Sequence, residues 1–303
     1  MTDQLEADIE YSKKYEMKKY SDSMKSMYNN ALVQNGEIYD IASSLTDRFN
    51  VITSKAIIED SRIIKTLRYS IAPSISQMKF GQLFGLKSIG DFENEKLSVG
   101  TQKYKKLIPI AEKIAEFMRG NIDKSRYIWL DQKGHANDLA YEYAKKWTCS
   151  IAADQNAQTK YRNWRKDQQE HSIVSEIISH GYVKSSFSGK VESATDIKIG
   201  EYTQEQRVQG RTVQKADIIV RSKQSKKLVL IEAKAVGVGI DSAKRIKECC
   251  DKANDWRSSK ELNDPVIVAA IAGFFNKIRI SNLEASGIEV VWEHRLSDLK
   301  KIL

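Results

Sequence analysis

The chain of 303 residues is 41 % hydrophobic, enough to bury a substantial core, and its length is that at which single domains begin to divide into two. Its 49 Lys and Arg outnumber 40 Asp and Glu, and the net charge of +9 favours polyanionic partners. The three cysteines, two of them the adjacent Cys249 and Cys250, make no disulfide framework. The start MTDQLEADIE has no basic region followed by an apolar core, and no run approaches the roughly 18 apolar residues of a membrane span, so the expectation is a reduced, cytoplasmic protein.

Residues 1–160 read as a mostly helical region. Apolar residues fall at helical spacing in SKAIIEDSRIIKTLRY (Ile57, Ile58, Ile63, Ile64, Leu67) and in LIPIAEKIAEFMRG (Ile110, Ile114, Phe117, Met118), and strand signals are scarce. Between them, SISQMKFGQLFGLKSIGDFEN (74–94) has the cadence of a helix-turn-helix and resembles the pattern of repressor-like domains. On that reading Gln77, Lys79 and Lys87 touch DNA. On the plainer reading Phe80, Leu83 and Phe84 pack one helix of an all-α subdomain.

From residue 161 the texture becomes an alternation of helix, strand, strand, helix, strand, short helix and strand, the mark of an α/β domain over 161–303. RKDQQEHSIVSEIISHGYV gives a helix whose apolar face is Ile173, Val174, Ile177 and Ile178. Glu170 falls within that face and Glu176 off it. An acid on a core-facing stripe needs a partner, unless it sits in a first helical turn where the helix N-terminus favours a negative charge. The polar segment EYTQEQRVQGRTVQ (201–214) carries Gln and Arg side chains, among them Arg207 and Arg211, of the kind that read base edges.

Next comes KADIIVRSKQSKKLVLIEAK (215–234), two β-rich apolar runs joined by a Lys-rich turn, with one acid near the start of the first and a Glu and a Lys at the end of the second. Side chains alternate along a strand, so Glu232 and Lys234 share a face. A hairpin centred between Gln224 and Ser225 sets Asp217 directly opposite Glu232. At such positions Cβ atoms lie roughly 4.5–5.5 Å apart, and like charges destabilise the pair unless something compensates. A divalent cation bound by oxygen ligands, Mg²⁺ in particular, would compensate; the alternative is a solvated strand end.

DSAKRIKECCDKANDW then places Ile246, Cys249, Cys250, Ala253 and Trp256 on one helical face and leaves Lys244, Arg245 and Lys247 outside, either to meet phosphates or simply to be solvated. DPVIVAAIAG (264–273) reads as a central strand covered on both faces, and GIEVVWEHR (287–295) as a further strand. None of the four histidines (His135, His171, His180, His294) has metal-ligand spacing with a cysteine, which argues against zinc.

The stretch from the helix through Asp217 and Glu232-Ala233-Lys234 to the later strands resembles the core of the PD-(D/E)XK nuclease superfamily over about residues 161–303, with Ala216 where a Pro often precedes the Asp. AKRIKECCDKA and GIEVVWEHRLSDL are similar to XamI-like type II restriction endonucleases. The resemblance implies a mixed central sheet flanked by helices, and a Mg²⁺-dependent endonuclease acting on double-stranded DNA. It further implies metal binding by Asp217, Glu232 and the Ala233 carbonyl, catalysis by these acids with Lys234, and a further Glu on the preceding helix, for which Glu170 is the candidate. A homodimer, a cognate DNA methyltransferase as genetic partner, and a helical region at 1–160 serving DNA recognition or dimerisation follow from the same resemblance. Two other readings are a nuclease of DNA repair or recombination that recognises structure, and a DNA-binding regulator with an inactive α/β half.

Overall fold

The computed structural model describes residues 2–131, 136–237 and 239–303; His135 lies outside the described residues. The first half is helical, as its spacing predicts: α1 (Thr2–Leu45), α2 (Ser54–Glu59), α3 (Ile63–Tyr69), α4 (Gln77–Leu83), α5 (Gly90–Glu93), α6 (Gln102–Asn121) and α7 (Asp138–Ser179). Two compact units result, one of residues 24–160 and one of residues 1–23 with 161–303.

In the helical unit the periodic run at 54–69 breaks into α2 and α3. The Asp60 carboxylate accepts the Arg62 backbone N–H at 3.1 Å and its guanidinium at 2.9 and 2.6 Å, a local side-chain bond that competes with continuing the helix. Ile57, Ile63, Ile64 and Leu67 are nevertheless fully buried, against Leu107, Ile114 and Met118 of α6. Gly81 sits where α4 meets the following chain; a Cβ there would fall 2.6 Å from the Ser88 carbonyl carbon, so only glycine allows the approach. Buried Arg68 holds Glu93 at 2.7 and 3.1 Å and closes the segment from beneath. Phe80 is buried and meets Phe84 and Phe117 edge-on, whereas Leu83 is exposed.

The second unit is built on β1 (Val183–Lys184), β2 (Lys190–Val191), β3 (Glu201–Gln204), β4 (Arg207–Gln209), β5 (Val213–Lys215), β6 (Ile218–Arg221), β7 (Leu228–Val236), α8 (Gly239–Arg257), β8 (Val266–Gly273), α9 (Lys277–Ala285) and β9 (Glu289–Trp292). Six strands form one mixed sheet in the order β1-β3-β6-β7-β8-β9, and β2-β4-β5 form a smaller one. β6 lies antiparallel between β3 and β7, while β7, β8 and β9 run parallel with α8 and α9 as crossovers.

Both faces of the large sheet are covered, which is why β7 and β8 are apolar at consecutive positions. Leu228 and Leu230 with Ile267, Ala269 and Ile271 meet Ile246, Cys249, Ala253 and Trp256 of α8 and Ile280 and Leu283 of α9. On the other face Val229, Ile231, Val268 and Ala270 meet Ile173, Val174 and Ile177 of α7.

The expected region 1–160 is interrupted, because residues 1–23 join the sheet-bearing unit. The reason is polar and sits at helical spacing along the start of α1. Asp8 pairs with His294 at 3.0 Å and Arg295 at 2.7 Å, Ser12 accepts the Gly273 N–H at 2.7 Å, and Glu16 accepts from Arg165 at 2.8 Å and Tyr161 at 3.0 Å. Arg165 also binds Glu293, to which Lys19 donates at 3.0 Å. No helix of the described residues is long and apolar enough to cross a membrane.

Candidate active site

The β6–β7 ladder pairs Ile218 with Ile231 and Ile219 with Leu230, the register that a turn centred between Gln224 and Ser225 requires. Extended by one residue it sets Asp217 across from Glu232. On the other side β3 pairs Gln204 with Ile218, so the same extension sets Glu205 across from Asp217. Three neighbouring strands therefore carry an acid on one rung at the end of the sheet. Opposed like charges destabilise a sheet, so each must be compensated.

Asp217 is anchored through both its backbone and its side chain. Its carbonyl accepts the Glu205 N–H at 2.9 Å and its Oδ2 accepts the Ala233 N–H at 2.9 Å, with Lys234 Nζ 3.5 Å away. Glu232 is fully buried; Lys234 donates to it at 2.7 Å and Lys252 of α8 to both carboxylate oxygens at 2.9 and 2.8 Å. Burial works against the Lys234 ammonium, but the charges of Glu232 and Asp217 outweigh it and hold its pKa above the ordinary lysine value.

Glu170 completes the group from the sheet face that α7 covers. Gln169 ties α7 to β8 by donating to the Ala270 carbonyl at 2.9 Å, and Glu170 is buried beside it. The first-turn explanation for this acid fails, since α7 begins at Asp138 and no Gly or Pro interrupts it before Ser179. Lys166 Nζ stands 3.2 Å from Glu170 Oε1 as an ion pair one turn away, and this buried oxygen has no other polar partner among the described residues. Burial raises the Glu170 pKa above the usual carboxylate value, Lys166 opposes the shift and Asp217 adds to it.

One carboxylate oxygen from each of Glu170, Glu205 and Asp217 lies within 4.8 Å of the others, the one group of three or more potential metal-ligating side chains among the described residues. Glu205 was not singled out by sequence reasoning. It stands in the β3–β4 turn at φ 58°, pairs with Lys166 at 2.9 Å and with Lys215, and its only sequence signal is a pairing of β3 with β6 that strands this short do not announce. Lys252 was also missed, as one more lysine on a charged helix. Glu232 is not one of these three; its carboxylate is held by Lys234 and Lys252. An all-oxygen donor set with one open buried oxygen fits a hard divalent cation.

The DNA-contact candidates divide by location. Arg207 on β4 and Arg211 after it are exposed, as are Lys244, Arg245 and Lys247 on the outer face of α8, where Arg245 meets Glu248 at 3.1 Å. Gln77 is not free to read a base: its side chain donates to Glu93 at 2.8 Å and its carbonyl accepts the Ile89 N–H. Lys79 and Lys87 are exposed, but α5 has only four residues, a single turn and no groove-reading helix. His171 is a surface residue of α7, His180 pairs with Glu176 at 3.1 Å, and His294 lies against Trp292 with ring centroids 5.6 Å apart. Burial pushes the thiols of Cys149 and Cys249 up to about 12, which makes them packing residues.

Among solved structures, the chain is similar to protein VC1899 from Vibrio cholerae at 13 % identity, over 91 % of this chain and 55 % of that one, with a TM-score of 0.28, too low to argue from. It is 25 % identical over 263 residues to the type II restriction enzyme SalI of Streptomyces albus G, covering 84 % of this chain and 83 % of that enzyme. The family model of the XamI restriction endonuclease matches residues 47–292 and so takes in nearly all of the helical unit together with the acid rung and both lysines of Glu232; the chain belongs to the XamI restriction endonuclease family.

Proposed function

We propose that this chain is a Mg²⁺-dependent type II restriction endonuclease that cuts double-stranded DNA at a specific short sequence by phosphodiester hydrolysis. Family membership and the likeness to SalI support the reaction class. The observation that carries the reading is the convergence of Glu170, Glu205 and Asp217 on one point, next to the Glu232-Ala233-Lys234 run of the PD-(D/E)XK pattern.

Glu170, Glu205 and Asp217 are the residues that would hold the cation, and the pattern adds Glu232 and the Ala233 carbonyl. When bound, such an ion supplies Lewis-acid polarisation of the scissile phosphate and a water acidic enough to attack near neutral pH. The Ala233 N–H fixes the Asp217 carboxylate and leaves its other oxygen free to ligate. Lys234, kept protonated by its acidic neighbours, stabilises the negative charge that builds on the phosphoryl oxygens and does not act as a base. Exposed Arg207, Arg211, Lys244, Arg245 and Lys247 of the same unit offer the positive charge that duplex phosphates need.

The helical unit is read as the recognition and dimerisation region. On α7, Leu139, Tyr143 and Trp147 are exposed at four-residue spacing, and Leu139 and Tyr143 line a groove of about 470 Å³. The stripe is self-complementary: turned antiparallel on a second copy about Tyr143, it sets Leu139 against Trp147 and brings Glu142 near Lys146. That suits the two-fold pairing that a symmetric DNA site demands. A methyltransferase that protects the host sites is the genetic partner this activity requires.

Digestion of unmethylated plasmid and phage DNA tests the proposal. Discrete fragments that need Mg²⁺ and vanish in Asp217→Ala and Lys234→Ala are expected; folded protein that binds such DNA and cuts none of it would refute the reading.

A further inference from the structure

Glu232 is the fully buried acid of the rung, and lysines hold both of its carboxylate oxygens. Lys252 Nζ lies 2.9 Å from its Oε1 and 2.8 Å from its Oε2, a bidentate seat, and is held there by the Lys215 carbonyl at 2.6 Å. Lys252 comes from α8, one turn after Cys249, so the packing of that helix against the sheet fixes where its ammonium points. With Lys234 at 2.7 Å, two positive charges neutralise Glu232 and Asp217 together.

We infer that Lys252 is a positioning residue of the site, an internal cation that occupies the Glu232 carboxylate and yields it when a divalent cation binds. This rests on the metal-dependent reading above. An ammonium bridging both oxygens and a doubly charged ion cannot share them, and like charges this close repel strongly in a buried setting. Lys252 thus keeps the Glu232 carboxylate aimed while weakening the metal affinity of the DNA-free enzyme. Duplex phosphates offer the displaced ammonium another anion.

The test is Mn²⁺ uptake by the DNA-free full chain, followed by calorimetry and by the electron spin resonance of free Mn²⁺. Lys252→Met and Lys252→Gln are each expected to bind Mn²⁺ at least tenfold more tightly than the native protein, while Lys252→Arg, which keeps the charge, stays within about threefold of it. Native-like circular dichroism is the check on folding. Equal or weaker affinity in the folded neutral variants overturns the inference, as does failure of both to fold, which would make the ammonium a structural counter-ion. Uptake that Asp217→Asn abolishes but Lys252→Met leaves unchanged removes only the role of Lys252. No uptake by any form, with or without duplex DNA, removes the metal reading as well.

Discussion

Arg165→Met isolates the polar tie between the start of α1 and the sheet-bearing unit. The guanidinium is 3 % exposed, donates to Glu16 at 2.8 Å and binds Glu293 through its other nitrogens; these acids are 3 % and 5 % exposed. Removing one partner of a buried ion pair costs about 3–5 kcal/mol, because an uncompensated charge is left behind. Here each acid keeps one donor, Tyr161 for Glu16 and Lys19 for Glu293, which points to the lower end, about 3 kcal/mol. Amide hydrogen exchange reads this locally: protection of residues 8–20 should fall about a hundredfold, one factor of ten for every 1.4 kcal/mol, while α6 in the helical unit keeps its protection. Arg165→Lys retains the charge but not the fork that spans two carboxylates, so its loss should be smaller, about 1 kcal/mol. A drop below about fivefold in Arg165→Met, or equal drops in the Met and Lys variants, would refute the argument that uncompensated burial is what matters.

Three other substitutions or treatments probe separate parts of the molecule. Glu205→Gln should raise the Mg²⁺ concentration needed for half-maximal cleavage by about tenfold without lowering the melting temperature, since the side chain is 36 % exposed and its loss leaves no buried charge. At pH 8 a disulfide reagent should label at most one thiol per native chain. The raised pKa of Cys149 and of Cys249 keeps both protonated until well above their ordinary titration range, and in urea all three thiols should react. Trp147→Glu should shift sedimentation velocity toward monomer while leaving the circular dichroism unchanged, because the residue is 50 % exposed; a native protein that is already monomeric would remove the stripe from consideration.

The hairpin register was legible because a long apolar run and a polar turn fix strand pairing to the residue, and the alternation then fixes which side chains share a face. The placement of Glu170 was legible for the same kind of reason, a period that put one acid on the buried stripe and another off it. Residues 183–215 were not legible: five strands of two to four residues, mixing Val with Lys and Gln, have too little period to announce a sheet. With β3 hidden, Glu205 could not be seen as a third acid on the rung. The helix-turn-helix cadence was real as a sequence pattern, but Gly81 and the Arg68–Glu93 pair spend it on packing α4 against a single turn. The attachment of residues 1–23 to the sheet lay in hydrogen bonds between segments far apart in the chain, 145 residues for Glu16 and Tyr161 and 261 for Ser12 and Gly273, distances over which no local pattern speaks.

That attachment also orders events on the ribosome. Ser12, Asp8 and Lys19 are synthesised more than 250 residues before the groups they bind, Gly273, Glu293, His294 and Arg295. The nascent chain therefore cannot close the unit that carries the carboxylates until residues 293–295 have been made, and a chain that stalls before residue 290 lacks the partners of Asp8 and Lys19. A prematurely ended product therefore carries its carboxylates on a unit that is not closed.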